Sequence, residues 1–399
     1  MKLFASGLFF SVVVFSIFSC GNKKDGSDTI TPIIDTNVLL VSDSNKVLPL
    51  EYYKRFEGTI AGQQVYLQMS SLSDKISGIY YYESIGTPLY FSAQVISGDS
   101  LLLSEQSLAG KYFENERPAT MSLKLSDSLL SGIWQSADRI RSFPVMLTES
   151  YPDGSFKFSI TSVKDSSKPF PNMEDGPIAR VKITSVVPDS NIVKENADFL
   201  KSEIAALLGY DKISSNNSVN DVAHKYINDY FFRYNKEFSL PLDTSINFKS
   251  TTFKYEYDQK IGVVYNMNNL VIFSSYTFDY TGGAHPNHNT TFFCVDVKNK
   301  KRLVLADVLI MDSSKIAPIL EKIIRKERKI ATSEKLNSIL FENYILPNDN
   351  FYFNDMGIVF FYNPYEIAPY VYGDTELFVP FTALAPFLKP TFKERMKIK

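Results

Sequence analysis

The 399-residue chain contains few of the side chains that form disulfides, bind metals or act in histidine-based catalysis. It has two cysteines and three histidines, which are His224, His285 and His288. Two cysteines cannot form the disulfide framework of a small secreted domain, so a chain of this length must build hydrophobic cores instead. Any site that depends on histidine must use one of these three residues.

The chain also lacks an excess of charge and the short motifs of common enzyme classes. It carries 42 basic and 44 acidic residues, and this balance provides no global field that would attract a nucleic acid. It contains no phosphate-binding G-x-x-x-x-G-K-[ST], no dinucleotide-binding G-x-G-x-x-G and no G-x-S-x-G nucleophile elbow. We therefore expect no nucleic-acid partner, no cofactor and no enzymatic activity.

The clearest long apolar run lies at the N-terminus. One positive charge at Lys2 precedes an apolar segment from Leu3 to Phe18, a pattern typical of a secretion signal. The segment is shorter than the ~20 apolar residues of a spanning helix and has no basic flank after it, which disfavours a simple transmembrane anchor. Residues 1–19 are therefore predicted to be a signal peptide.

The sequence Ile17-Phe18-Ser19-Cys20 resembles the lipobox of bacterial lipoproteins. The resemblance implies lipidation of Cys20 and attachment to a membrane through acyl chains. The polar residues 20–47 predict a flexible tether. We therefore expect a lipid-anchored protein of the bacterial cell envelope, at the outer membrane or the cell surface.

Residues 48–165 show the pattern of a β-rich domain. Short runs rich in Tyr, Val, Ile, Leu and Phe alternate with Gly, Ser, Asp and Pro, which predicts strands and turns without a long helix. We predict an antiparallel meander of roughly eight strands, closed or nearly closed as a small barrel, because closure removes exposed strand edges. Residues 166–177 contain three prolines and predict an interdomain linker.

Residues 178–399 combine helical and strand patterns. Apolar residues recur at three- and four-residue spacing between Asn191 and Leu208, between Asp221 and Tyr234, and between Ile316 and Ile324. This periodicity predicts three amphipathic helices. Strand-like runs lie between them, so the predicted class is α+β, with helices packed on an antiparallel-dominated sheet.

Two strings in this region carry the most specific signal, DYTGGAHPNH (Asp279 to His288) and FYNPYEIAPY (Phe361 to Tyr370). Together with the segments between them, they resemble the extracellular domain shared by lysozyme-sensing anti-sigma factors and by the non-catalytic N-terminal part of bacterial peptidoglycan deacetylases. The resemblance covers residues of about 178–390. In the anti-sigma factors this domain binds lysozyme, and in the deacetylases it accompanies an enzyme without being one. The resemblance therefore implies a recognition domain.

The first string provides five candidate site residues, which are Tyr280, Gly282, Gly283, His285 and His288. The two histidines have HxxH spacing, and with Asp279 they could supply zinc ligands. Since the loop offers only two good ligands, we predict no metal site. The favoured interpretation is a turn in which both glycines adopt positive φ and His285 hydrogen-bonds to nearby backbone.

The second string provides the candidates Tyr365, Glu366 and Tyr370. Pro364 and Pro369 prevent a continuous helix, so Glu366 lies in a loop among tyrosines. This loop either recognises a ligand or is held in place by Glu366 capping backbone N–H groups of the first loop, and the structural role is favoured. We expect the two loops to lie against each other, with Glu366 accepting a hydrogen bond from His285.

The predicted function is that of a non-enzymatic envelope lipoprotein that recognises a protein ligand, with a lysozyme-like protein as the class implied by the resemblance. One alternative is a peptidoglycan- or glycan-binding accessory to cell-wall hydrolysis. Another is a metal-dependent hydrolase that uses His285 and His288. Exposed aromatic residues beside a basic rim would favour a glycan, whereas a flat aromatic patch of mixed charge would favour a protein.

Overall fold

The computed structural model describes residues 51–72, 75–106, 117–212, 214, 216–238 and 253–398. The predicted signal peptide, the lipidation site Cys20 and the tether at 20–47 lie outside these residues. Across the described part of the chain, no helix has both the length and the apolar character needed to span a bilayer.

The N-terminal half forms a closed antiparallel barrel. Its strands are β1 (Glu51–Ile60), β2 (Gln63–Leu72), β3 (Lys75–Tyr82), β4 (Leu89–Ser97), β5 (Ser100–Gln106), β6 (Thr120–Ser126), β7 (Leu129–Gln135) and β8 (Ser142–Glu149). Each strand pairs with the next, and β1 also pairs with β8. The predicted eight-stranded meander is therefore confirmed, and the barrel is closed.

Alternate side chains fill the barrel interior, as the two-residue period of a strand requires. Phe56, Tyr80 and Phe91 are among the buried residues of this core. Two Ser-Gly pairs in β3 and β7 mark points where strands approach closely. A Cβ on Gly78 would lie 2.0 Å from the carbonyl oxygen of Gln68, and one on Gly132 would lie 2.0 Å from that of Ser122. Glycine is needed there because no side chain fits.

The second half is built on a six-stranded sheet. Its strands are β9 (Phe158–Ser167), β10 (Ile178–Pro188), β11 (Lys254–Met267), β12 (Leu270–Tyr280), β13 (Asn287–Asp296) and β14 (Lys301–Leu303). They lie in the order β14-β13-β12-β11-β10-β9, and only β10 and β11 are parallel. Two helices, α1 (Lys194–Leu207) and α2 (Val219–Glu237), cover one face through a shared apolar core. The predicted α+β class is confirmed.

The opposite face of this sheet is only partly covered. A three-stranded sheet packs on it, formed by β15 (Phe351–Phe353), β16 (Gly357–Tyr362) and β17 (Thr375–Pro380). Four helices complete the region: α3 (Leu305–Val308), α4 (Ser313–Glu327), α5 (Phe381–Leu384) and α6 (Pro390–Met396). Leu270, Phe292 and Cys294 from the large sheet share a core with Tyr352 and Phe360 from the small one. Cys294 is thus a buried core residue, as its apolar surroundings predict.

The boundary predicted near residue 165 falls inside β9, because all of β9 pairs with β10 in the large sheet. The predicted linker at 166–177 forms the end of β9 and the loop that leads into β10. Alternation of side chains reveals a strand but not its partner, so the sequence alone could not assign β9 to this sheet. The barrel and the sheets belong to one compact unit. Independent folding of the two parts stays a prediction.

Candidate functional site

The two signature loops lie against each other, as predicted. The ring of His285 stacks on the ring of Tyr370, with centroids 4.5 Å apart. The hydroxyl of Tyr370 donates to the carbonyl oxygen of Pro286 at 3.2 Å, and the hydroxyl of Tyr365 lies 3.4 Å from Nε2 of His285. Three rings and one carbonyl group therefore join the loop between β12 and β13 to the loop between β16 and β17.

Asparagine side chains hold these segments together where no strand pairing connects the two sheets. Asn363 accepts from the backbone N–H of Thr290 at 2.6 Å and donates to its carbonyl at 3.1 Å. Asn350 accepts from the N–H of Phe292 at 3.0 Å and also donates to the carbonyl of Thr290 at 2.8 Å. The amide groups thus replace the backbone bonds that a neighbouring strand would make to β13.

The predicted hydrogen bond between His285 and Glu366 is not formed. Glu366 accepts from the side-chain amide of Asn348 at 2.7 Å and from the backbone N–H of Asn363 at 2.9 Å. It therefore caps its own loop and not the first one. Tyr365 has a φ of 68°, a left-handed conformation that bulky residues rarely adopt. This turn brings Glu366 back to the backbone N–H of Asn363, three residues earlier, and Asn348 donates to it from another part of the chain.

The glycine turn is confirmed only in part. Gly282 has a φ of 82°, whereas Gly283 is not in the left-handed region. Nδ1 of His285 lies 2.8 Å from the carbonyl oxygen of Pro286, which agrees with the expected bond to nearby backbone. Tyr280 ends β12 opposite Glu256 of β11.

The proposed zinc ligands do not converge. Phe278 of β12 pairs with His288 of β13, so their side chains lie on the same face of the sheet. Asp279 is the next residue in β12, and its side chain therefore projects to the opposite, helix-covered face. Its Oδ1 atom is buried without a hydrogen-bond partner, and burial raises the pKa of the carboxyl group. Among the residues that the structure describes, no group of three His, Cys, Asp or Glu side chains is placed to hold a metal ion.

His288 pairs with a residue that the sequence did not single out. Its Nε2 lies 3.1 Å from Oδ1 of Asp374, and both side chains are largely buried. Arg328, the residue that follows α4, also contacts this region: it donates to the carbonyl of Tyr372 at 3.3 Å and to the hydroxyl of Thr375 at 2.9 Å. Asp374 lies four residues beyond the second string, and no local pattern marks it.

A set of large apolar side chains is exposed beside these loops. We call it the exposed aromatic patch, and its members are Phe341, Tyr344, Leu346, Tyr365 and Val371, with exposed fractions of 51, 53, 45, 52 and 76%. The backbone N–H of Phe341 donates to the carbonyl of Ile367, and Tyr362 donates to the carbonyl of Leu346. These bonds hold the segment around residues 341–346 against the second loop. Contiguous apolar surface on a monomeric protein often marks an interaction site.

The chain segment that carries the exposed aromatic patch has charges of one sign, while His285 and Arg328 contact the second loop from other segments. Residues 336–388 contain no lysine, arginine or histidine. The acidic residues of this stretch are Glu342, Asp349, Asp355, Glu366, Asp374 and Glu376. Glu342, Asp349 and Glu366 are exposed. A balanced total charge hides this local imbalance, which a scan for charge runs could have found.

The uncovered half of the large sheet forms a groove of about 700 Å³. One row of its floor runs in register across five strands: Lys164, Lys182, Asp258, Phe278 and His288. Alternate residues of a strand share a face, so these side chains project to the same side. The row therefore connects a charged part of the sheet directly to the two loops.

A comparison with known protein families concerns this C-terminal half. Residues 307–382 match DUF3298, a family described as protein of unknown function. The matched segment contains the exposed aromatic patch, the second loop and Asp374, but not the first loop. No curated protein sequence matches the chain.

Two solved structures are similar to this chain. A DUF3298 family member from Bacteroides fragilis has 24% sequence identity and a TM-score of 0.52, covering 61% of this chain and 99% of that one. A DUF3298 family protein from Pseudomonas aeruginosa has 17% identity and a TM-score of 0.43, covering 60% of this chain and 98% of that one. The first comparison shows a shared fold. The C-terminal segment 307–382 is thus similar to the DUF3298 family, whose function is unknown.

Proposed function

We propose that this chain is a non-enzymatic lipoprotein of the bacterial cell envelope whose C-terminal half recognises a protein ligand. The observation that carries the proposal is the exposed aromatic patch beside the two signature loops. Phe341, Tyr344 and Tyr365 combine a large apolar area with few rotatable bonds, and such residues dominate the binding energy of protein interfaces. Rigid loops held by asparagine bonds would lose little freedom on binding.

The charge around the patch supports a partner with a basic surface. Glu342, Asp349 and Glu366 are exposed there, and no basic residue occurs between positions 336 and 388. Complementary charge steers association and excludes acidic competitors. The resemblance to the domain of lysozyme-sensing anti-sigma factors makes a lysozyme-like protein the leading ligand class.

The test is a titration of the purified chain with a purified lysozyme. We expect Phe341→Ala and Tyr344→Ala each to weaken binding by about tenfold or more, as loss of a hot-spot aromatic residue does. The matched control is Phe232→Ala on α2, because Phe232 is 73% exposed but lies outside the C-terminal patch. Equal effects at all three positions, or no binding by the unaltered chain, would contradict this function.

A second candidate function, binding of a wall glycan, is favoured by the groove. Tyr276 and Phe278 lie in its floor, and flat rings beside charged side chains suit the stacking of sugars and the binding of their carboxylates. Titration with soluble peptidoglycan fragments would separate the two candidates. A glycan site predicts that Phe278→Ala abolishes binding, whereas Phe341→Ala leaves it unchanged.

The membrane anchor is tested at Cys20. Its lipobox-like surroundings and the polar tether support lipidation. Metabolic labelling with a fatty-acid analogue should mark the unaltered protein, and Cys20→Ala should lose the label. Equal labelling of both forms would refute the anchor.

A further inference from the structure

The barrel meets the two sheets through partly buried polar contacts in which carboxylates accept hydrogen bonds from tyrosines of both parts. Glu376 of β17 accepts from Tyr90 of the barrel at 2.8 Å and from Tyr352 of β15 at 3.0 Å. The two hydroxyl groups lie 2.9 Å apart. Asp355 makes a parallel arrangement, accepting from Tyr81 of the barrel at 2.5 Å and from Tyr265 of β11 at 2.8 Å.

We propose that the contact of Glu376 with Tyr90 and Tyr352 is a proton-dependent latch between the barrel and the C-terminal sheets. The latch holds the barrel firmly when Glu376 is protonated and loosens when Glu376 is ionised. Three oxygen-bearing groups in mutual contact provide two hydroxyl protons, and protonation of the carboxyl group adds a third donor to the set. Ionisation removes that third donor and places a negative charge in a partly buried site between the two parts.

The groups facing Glu376 act in both directions: the hydroxyls of Tyr90 and Tyr352 donate to it and lower its pKa, whereas the charges of Asp374 and Glu327 raise it. Tyr90 projects from β4 and Tyr352 from β15, and burial raises the pKa of each phenol further above its ordinary value. Asp374 on the same segment and Glu327 at the end of α4 add negative charge. Arg328 lies close by and donates to the backbone carbonyls of Tyr372 and Asp374 and to the hydroxyl of Thr375.

Burial is the largest cause that raises the pKa of Glu376 to about 7, with the charges of Asp374 and Glu327 adding to it. The negative charge of Glu327 opposes ionisation of Glu376.

The direction of the pH effect follows from this raised pKa. When the barrel separates, Glu376 regains water and its pKa returns toward the ordinary value of 4.5. The contribution of Glu376 to the free energy of docking is therefore fully present below that value. This contribution is lost as pH rises through about 7. The docking equilibrium constant should fall by about one to two orders of magnitude between about pH 5 and about pH 8.

The latch adjoins the candidate site along the chain. Asp374 lies two residues before Glu376 and pairs with His288. A change in the position of β17 would therefore also displace the two signature loops. This effect does not depend on which ligand the loops bind.

The two halves carry separate reporters, which makes the latch measurable. Trp134 of β7 is the single tryptophan of the chain, and its fluorescence follows the barrel. All helices of the described residues lie outside the barrel, so the helical circular dichroism follows the second half. Coincident urea transitions by both probes indicate that the two parts unfold together.

The experiment records both transitions for the full chain at about pH 5.5 and about pH 8. We expect coincident midpoints at the lower pH and separate midpoints at the higher pH, with Glu376→Gln restoring coincidence at the higher pH. The matched control, Glu394→Gln, replaces an exposed glutamate of α6 and should leave the pH dependence unchanged. Absence of any pH dependence in the unaltered chain, or the same pH dependence in Glu376→Gln, would overturn the proposal.

A second variant keeps the proposal testable if Glu376→Gln does not fold. Tyr90→Phe preserves the ring and removes only the hydroxyl donor of the barrel. Tyr90→Phe should separate the two urea midpoints even at about pH 5.5. Glu327→Gln changes the charge facing the latch, and the effects of the two substitutions on the midpoint separation should be non-additive. Additive effects would show that the barrel contact and the carboxyl pair act independently, contrary to a latch.

Discussion

The barrel buries its large aromatic residues, whereas the C-terminal sheets leave several of theirs facing solvent. Phe56, Tyr80 and Phe91 lie inside the barrel, where strand pairing on all sides leaves no free edge. Phe341 and Tyr344 lie in a connection between helix α4 and strand β15 and are about half exposed. The first arrangement maximises packing, and the second leaves apolar area available for a partner.

The same contrast holds for the way in which each half fixes its backbone. The barrel relies on continuous strand ladders, while the loops of the second half are tied by single side chains such as Asn350 and Asn363. Side-chain ties can hold irregular backbone in a fixed shape without covering its surface. This difference is consistent with the proposal that the loop end of the sheets binds a partner and the barrel supports it.

The largest expected effect concerns the junction of the two halves. Arg55 of β1 is 1% exposed and donates to the carbonyls of Asn266 and Ser150. Arg55→Ala removes these bonds and leaves buried acceptors unpaired, so we expect a loss of about 3–5 kcal/mol in the free energy of unfolding. Urea denaturation measures it. Arg117→Ala, at an exposed site, serves as the control, and equal stability of the two variants would contradict a structural junction.

A smaller loss is expected when one side-chain tie between the sheets is removed. Asn363→Ala deletes the bonds to both backbone groups of Thr290, which should cost about 1–3 kcal/mol because these groups are partly buried. Hydrogen exchange should quicken at the N–H of Thr290 and leave barrel amides unchanged. Uniform exchange throughout the chain would show that the tie has no local role.

Removal of Glu366 tests the capping role that replaces the predicted histidine pair. Glu366→Ala should cost about 0.5–1.5 kcal/mol, since its partners Asn348 and Asn363 lie at an exposed position where water replaces the lost bonds. A chelator should not change the melting temperature. A chelator-induced shift that is abolished by His285→Ala would instead indicate a bound metal.

The smallest change is expected from a cut between β9 and β10. Residues 171–175 are exposed, so limited proteolysis should cleave first in the stretch from Lys164 to Lys182. The fragments should remain associated during size-exclusion chromatography because β9 is paired with β10. Separation of a folded barrel from a folded second half would instead support independent units.

Periodicity in the sequence predicted much of this fold because local patterns depend on local physics. The alternation of apolar residues in 48–165 predicted a barrel of about eight strands, and helical spacing predicted α1 and α2. The two signature strings predicted that their loops would meet. Asp374 and the members of the exposed aromatic patch other than Tyr365 were missed, since the exposure of a side chain depends on which distant segments pack over it.

By itself, the amino-acid sequence determined the strands, the amphipathic helices, the glycine turn at Gly282 and the buried nature of Cys294, because each depends on neighbours within a few residues. Only the tertiary structure decided that β9 joins the large sheet, that Glu366 turns toward Asn363, and that Tyr90 and Tyr352 meet at Glu376. These contacts join residues that are distant along the chain, or depend on one unusual backbone angle. Packing and desolvation decide which of these contacts form, and a local sequence pattern contains no information about either.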